Sequence, residues 1–330
     1  MEALSLPSQV LRLLLRGQGP RSGQAMGESL GCSRAAVGKA VARLREQGFV
    51  IQARCNQGYT LLNEPPEVLP ARVEARLEPG SLGLPLYHFD EIDSTNLAAR
   101  RQAESGAPHG ACLVAEHQSA GRGRLDRRWQ APKGSCLLFS IVLRPDLRLD
   151  QVFGLTNLAA LAVCRAVEAM SPLQPLIKWP NDVFLAGRKL AGILTEFTSR
   201  AEKVEFVVVG VGLNVNLTPA QLDKLPAPAA SLKAASGQTW DRAALLARIL
   251  SEAGKLYGLA ASGGWPELAG EYQARSLLAG KLVSVRDGEA ERRGVAQGVD
   301  ESGALLLEES PGRVSVIRHG DVSVLSYGDS

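Results

Sequence analysis

The chain has 330 residues, 45% of them hydrophobic and 22% charged, and carries a net charge of +3. That length leaves room for two or three domains, and the composition excludes a disordered or low-complexity polymer. A charge this small does not by itself imply nucleic acid. The longest apolar runs, such as FVVVGVGLNVNL, are broken by asparagine short of the ~20 residues a membrane helix needs.

The opening residues, MEALSLPSQV, lack the basic-then-apolar pattern of an export signal. The five cysteines (Cys32, Cys55, Cys112, Cys136, Cys164) are far apart and form no CxxC or His/Cys zinc spacing. They read as reduced, mostly core thiols of a cytoplasmic protein.

Charge is unevenly spread. Residues 1–63 hold eight Lys/Arg against three Asp/Glu, whereas the remainder holds 29 against 31. In this basic segment SQVLRLLLRG predicts a helix stopping at Gly17, and SGQAMGESLG a short one closed by Gly31. Ser33 then N-caps RAAVGKAVARLREQ, which ends at Gly48. Val37, Val41 and Leu44 form its core face, leaving Arg34, Lys39 and Arg43 outward. FVIQARCNQGYTLL alternates about Asn56-Gln57-Gly58, a hairpin turn.

Together these make a winged helix-turn-helix. A small helical docking module fits the same pattern, but the charge and the small Ala35 and Ala36 favour DNA. Arg34 is then the candidate base contact and Lys39 and Arg43 suit phosphates, with Ser22, Ser33 and Ala35 completing the DNA-facing set.

NEPPEVLP, residues 63–70, reads as a proline-bearing linker. From about residue 80 to 270, strands and helices alternate, and the tight turn at 186–188 forces an antiparallel pair, so the sheet is mixed. From Gly280 five short strand-like runs separated by Asp287-Gly288, Ser302-Gly303 and Pro311-Gly312 suggest a small β-barrel. The expected fold class is a multidomain α+β protein with domains at 1–63, 64–274 and 275–330.

Four clusters in the middle region carry chemistry. HQSAGRGRLDRRW (117–129) places four arginines and two glycines within eight positions. It is neither a dinucleotide fingerprint nor a P-loop. Taken alone it reads as a solvated loop, a polyanion surface or an anion cradle, and Trp129 tilts it toward a ligand lid. KWPNDVFLAGRK (178–189) offers Asn181, Asp182 and Lys189, the last also explicable as an exposed turn lysine. DSTN (93–96) is either a ligand contact or a helix N-cap. In GVGLNVN (210–216) glycines allow close backbone approach to a flat ligand, or mark a bulged buried strand.

The ordered run of DSTN, EHQSAGRGRLDRRW, KWPNDVFLAGRKLAGILTE and GVGLNVN resembles the biotin–protein ligases. With the N-terminal helices and the terminal GVDESGALLLE, the likeness is to the bifunctional form that is also the biotin operon repressor. It spans all three regions.

The resemblance implies a central mixed-sheet α/β ligase domain and a C-terminal SH3-like barrel. It also implies activation of biotin by ATP with Mg²⁺ to biotinyl-5′-adenylate, then transfer to a lysine of the biotin carboxyl carrier protein of acetyl-CoA carboxylase. Ser94, Thr95, Asn96 and Gln118 would bind biotin's ureido head and nearby atoms. Arg122, Gly123 and Arg124 would belong to a loop ordering over biotin and phosphates, and Lys189 would meet the reacting carboxylate and α-phosphate. Arg124 and Lys189 are thus the catalytic candidates.

Asn181, Asp182, Asn214, Arg122 and Trp129 would serve the adenylate side, with Asp182 the candidate Mg²⁺ ligand. The adenylate would act as corepressor, favouring a homodimer on a two-fold operator DNA. A biotin-sensing regulator without ligase activity, and a ligase with a vestigial winged helix, are the alternatives.

Two positions depart from the family pattern. Leu125-Asp126 stands where family loops carry a small glycine, with Asp126 suited to left-handed backbone. Leu325 stands where the bifunctional form has a phosphate-directed arginine, and Arg313 or Arg318 is offered in its place.

Overall fold

The computed structural model describes residues 4–17, 19–125, 127–200, 203–287 and 290–325. Three helices, α1 (Leu6–Leu15), α2 (Gly23–Leu30) and α3 (Arg34–Glu46), precede a hairpin of β1 (Val50–Arg54) and β2 (Gly58–Asn63). Ser5, Ser22 and Ser33 each accept a backbone N–H at the helix starts, and Gly31 closes α2 in left-handed geometry. Val37, Val41 and Leu44 join Val10, Leu11, Met26 and Phe49 in one core. Asn56 and Gly58 take positive φ in the hairpin turn.

The proline-bearing segment is no loose linker. It leads into a short helix, α4 (Pro70–Glu74), that is shared between two cores. Ala71 and Ala75 pack with the N-terminal helices, while Val68, Val73 and Leu77 pack with the central domain. Arg12 donates to the carbonyls of Glu74, Ala75 and Leu77, and Ser8 Oγ donates to Glu74 Oε2 at 2.6 Å. Five residues are too few for helical periodicity to be read from sequence.

The central region runs β3 (Leu86–Phe89), α5 (Thr95–Glu104), β4 (Cys112–Ala115), β5 (Cys136–Leu143) and α6 (Val152–Met170). β6 (Leu176–Lys178), β7 (Asp182–Leu185), β8 (Arg188–Arg200) and β9 (Lys203–Asn214) follow. Helices α7 (Pro219–Leu222), α8 (Leu232–Ser236), α9 (Arg242–Ala261) and α10 (Trp265–Ala274) complete it.

Its seven strands lie in the order β3-β4-β5-β9-β8-β7-β6. Among its described strands only β3 and β4 pair in parallel and the others antiparallel, including β7 and β8 across the turn at 186–188, so the sheet is mixed. Helices α6 and α9 contribute to the larger core, whereas α5 packs its alanines with Leu113, Val142, Phe206 and Val208 in a separate one.

The expectation that no segment reaches membrane length is corrected by α6. By length and composition its 19 residues could cross a membrane, but 78% of its apolar window is buried as core. All five cysteines are free; Cys112, Cys136 and Cys164 are buried, Cys32 is half-buried and Cys55 is exposed.

At the C-terminus, β10 (Leu282–Asp287), β11 (Ala290–Val299), β12 (Leu305–Ser310), β13 (Arg313–Ile317) and β14 (Asp321–Val324) form an antiparallel sheet. The order β13-β12-β11-β10-β14 puts β13 and β14 at opposite edges, and among the described residues no ladder joins them. The expected closed barrel is therefore not formed, because the four-residue β14 takes its partners from β10 alone. Val283, Val285, Ala296 and Leu307 share the central core, and Trp179 Nε1 donates to Gly303 O at 3.1 Å.

Candidate functional site

Three chain segments meet at one end of the central sheet. The backbone of residues 118–120 runs beside DSTN, with Ser119 N–H on Ile92 O and Ala120 N–H on Asp93 O, both at 2.9 Å. Ser94 occupies the N-cap position of α5 but makes no side-chain cap bond, so its hydroxyl is not spent on the helix. Asp93 is held below its usual carboxyl range by the hydrogen bond from Arg101, with help from the Ser94 amide.

Ser94, Thr95 and Asn96 are all buried. Gln118 Oε1 accepts from Thr95 N–H (2.7 Å) and Thr95 Oγ1 (3.0 Å). Ser140 Oγ lies 2.8 Å from Thr95 Oγ1 and 2.7 Å from Asn96 Oδ1. Asn96 Nδ2 donates to Leu194 O at 3.1 Å and Glu196 Oε2 at 2.8 Å. This half of the site is polar, mostly uncharged and pre-organised, suited to a neutral head rich in donors and acceptors.

The floor is glycine. A Cβ on Gly210 would overlap Asn96 Oδ1, and one on Gly212 would come within 2.5 Å of the Trp129 ring. Trp129 thus lies flat on the strand, as only bare backbone allows. Its Nε1 is buried without a hydrogen-bond partner, an unmet donor inside the site. Trp129 and Gln118 also line a cavity of about 530 Å³ with Arg128, Gln221 and Lys224.

Beyond Trp129 the site becomes charged. Lys189 Nζ sits 5.8 Å from the ring centroid of Trp129 and 2.7 Å from Asp182 Oδ1. Ala186 and Gly187 take left-handed geometry in the turn, setting Asp182 and Lys189 on neighbouring strands. Arg124 Nη1 is 3.4 Å from Asn181 Oδ1, and Asn181 Nδ2 donates to Ile193 O at 2.8 Å. Asn214 is buried, donating to Ala230 O at 3.0 Å, while Ala230 N–H meets Lys189 O at 2.8 Å. The whole can receive an elongated ligand with a neutral polar head, an apolar middle and an anionic tail.

The arginine run folds as a small hairpin over this end. Gly123 N–H donates to Arg127 O at 2.7 Å, and Arg122 bridges Arg128. Leu125 takes left-handed backbone geometry (φ 53), and Asp126, expected to suit it, lies outside the described residues. Arg122 lies 3.4 Å from Glu196, and Arg127 pairs with Asp321 of the terminal sheet at 2.8 Å.

Arg124 also approaches that sheet, with Gly320 O at 3.4 Å and Asp321 at 3.8 Å. The terminal sheet thus meets the loop with acceptors. Arg313 stands on β13, the edge strand opposite β14, within 3.7 Å of Glu309, and Leu325 N–H pairs with Leu282 O.

In the N-terminal helices, Ser22, Ser33, Arg34, Ala35, Lys39 and Arg43 are exposed, with both serine side chains serving as caps. Sequence reasoning missed Ser140, Glu196 and Asp321. Ser140 had a signal, being the one hydrogen-bonding side chain in the otherwise apolar strand LLFSIVL.

Comparison with known proteins decides the family. Residues 8–60 match an HTH domain, 89–214 the Biotin/lipoate A/B protein ligase family, and 279–325 the Biotin protein ligase C terminal domain. The Bifunctional ligase/repressor BirA of Bacillus spizizenii is 37% identical over 292 residues, 88% of this chain and 90% of the relative.

The chain belongs to the biotin protein ligase family.

The Bifunctional ligase/repressor BirA of Escherichia coli is 30% identical over 327 residues, 99% of each chain. Among solved structures, a biotin protein ligase from Aquifex aeolicus in complex with biotin and ATP is 29% identical. It superposes with a TM-score of 0.61, covering 73% of this chain and 98% of its own. As a biotin protein ligase, the chain matches 90% of the Bacillus relative's length and 99% of the Escherichia coli relative's.

Proposed function

We propose that this protein is an ATP-dependent biotin–protein ligase that also represses transcription with its own reaction intermediate. The observation that carries this reading is the continuity of the site, from the polar pocket of Thr95, Asn96 and Gln118 across Trp129 to Lys189 and Asp182. Biotin fits it in order: ureido head, apolar ring and chain, carboxylate.

In the first half-reaction a biotin carboxylate oxygen attacks the α-phosphorus of ATP, the bond to the β-phosphate bridging oxygen breaks, and pyrophosphate leaves. Two anions must approach, so fixed positive charge between them lowers the barrier. Lys189 is a mobile point charge on the reacting carboxylate and α-phosphate, and Arg124 a planar fork for phosphate oxygens. Arg122 and Gly123 belong to the closing loop, Ser94 to the biotin head, and Asn181 and Asn214 to the adenylate side.

Asp182 is the carboxylate that would hold Mg²⁺ alongside phosphate oxygens, where the ion, when bound, neutralises phosphate charge. Mg²⁺ with one protein carboxylate and substrate phosphates is an ordinary donor set, and Asp182 must then release Lys189. In the second half-reaction the amine of a carrier lysine attacks the acyl carbon, AMP leaves and a proton is lost. Trp129 and the arginine loop keep water from the anhydride until then.

The exposed basic face of α3 supports operator binding, with Arg34 toward bases and Lys39 and Arg43 toward phosphates. Loop closure over the adenylate would favour a homodimer matching a two-fold operator. The same reading takes domains at 1–63, 64–274 and 275–330, an open variant of an SH3-like fold in the last, and a cytoplasmic protein. The test is incubation with biotin, Mg·ATP and a biotin carboxyl carrier domain. One biotin added to one acceptor lysine supports the ligase, and an unmodified carrier rejects it in favour of a biotin-sensing regulator.

A further inference from the structure

The ligand loop, residues 117–135, begins and ends beside one buried ion pair that touches none of the site described above. Glu116 stands just past β4, and its side chain is 2% exposed. Its Oε2 lies 2.7 Å from Arg242 Nη1, the first residue of α9, whose side chain is 5% exposed. Glu116 O accepts from Gly134 N–H at 3.1 Å, and Arg242 Nη1 donates to Cys136 O at 3.3 Å, so the pair grips both ends of the loop.

The same two side chains hold the segment that joins the domains. Glu116 Oε1 accepts from Val68 N–H at 2.7 Å, and Arg242 Nη2 donates to Pro66 O at 3.0 Å. From there α4 reaches the N-terminal helices through Arg12 and Ser8. Asp241, the N-cap of α9, pairs with Arg72 at 2.8 Å and steadies the same segment.

Stability alone does not explain such a pair. Burying two charges costs much of what their attraction returns, and apolar side chains of similar volume hold a core as well. What an ion pair adds is directional, multi-point register: here three backbone groups of two segments, Val68 N–H, Pro66 O and Cys136 O, are fixed by two side chains.

We propose that Glu116 and Arg242 are a positioning pair that couples closure of the ligand loop to the seating of the winged-helix domain. The inference rests on the ligase–repressor reading, in which the loop closes on biotin and the adenylate. When the loop ends shift on closure, Pro66 and Val68 shift with them, and α4 carries the change to α1. The coupling is reciprocal, so a fixed N-terminal domain also biases the loop.

Hydrogen–deuterium exchange on the full-length chain, with and without biotin plus Mg·ATP, tests this. Amides of residues 64–77, none of which touches the site, are expected to exchange about threefold or more slowly with ligand. Arg242→Lys keeps a charge for Glu116 but cannot also reach both carbonyls. It should still bind biotin, while residues 64–77 no longer respond to it.

Unchanged exchange at 64–77 in the wild-type chain, with biotin bound by titration, overturns the coupling. So does an equal response in Arg242→Lys. Failure of the wild-type chain to bind biotin instead overturns the ligase reading itself. If Glu116→Gln or Arg242→Lys folds poorly, the wild-type comparison alone decides.

Discussion

Lys189 Nζ lies 2.7 Å from the Asp182 carboxylate, so the ammonium that the proposed chemistry needs is already parked at the mouth of the site. Lys189→Ala is expected to lower adenylate formation by about a hundred- to a thousandfold, the usual loss of one transition-state charge contact. Melting temperature should stay close to wild type, since Lys189 is 36% exposed. Single-turnover adenylation measures this, and comparable turnover removes Lys189 from its role.

The glycine floor of the polar pocket is a tight packing constraint. Gly210→Ala drives a methyl into Asn96 Oδ1, which must leave Ser140 and disturb Leu194 and Glu196. Overpacking of this kind costs ~1–3 kcal/mol, and biotin Kd should rise about tenfold or more. Gly258→Ala is the control: it sits exposed within α9 with open space around it and should stabilise by ~0.5–1 kcal/mol. Calorimetric titration with biotin checks the affinity and denaturant melts the stability, and unchanged affinity in Gly210→Ala would remove the clash from the account.

Arg122 connects the loop to the pocket through Glu196 at 3.4 Å. Arg122→Ala should still form adenylate but hold it poorly, so that it appears in bulk solution and hydrolyses. Rapid gel filtration after a single turnover measures the retained fraction. Retention equal to wild type would count against the loop as a lid.

Acid should find Glu116. Burial acts to raise its pKa, but the His88 hydrogen bond, the Val68 amide and the Arg242 charge outweigh it and bring it down to about 2. A carboxyl with a lowered folded-state pKa stabilises fully above its ordinary value. That stability is lost as pH falls from about 4.5 toward 2. The contribution is on the order of 3 kcal/mol. Glu116→Gln should be less stable at pH 7, with the gap to wild type closing across that window. Denaturant melts at pH 7, 4 and 3 would show it, and a constant gap contradicts the assignment.

Much of this was readable in the residues, for reasons that differ by element. The helices of the first 63 residues carry caps, glycine stops and a clean apolar face, and all three form within two residues of expectation. The site motifs were legible because each is local: DSTN, the arginine run and KWPND are contiguous chemistry. What sequence could not give is what crosses between segments. Ser140 and Glu196 enter the site because β5 and β8 both pair with β9, and Asp321 because the terminal sheet meets the arginine loop. Residues 63–70 look like a spacer by composition, and only the packing of Val68 and of α4 on both sides makes a joint of them.

The first measurement is biotin-dependent exchange of labelled pyrophosphate into ATP, with Arg124→Ala and Lys189→Ala alongside. Exchange should require biotin and collapse in both variants, locating carboxylate activation at the charged end of the site. No exchange from folded wild-type protein, or full exchange in both variants, would contradict it.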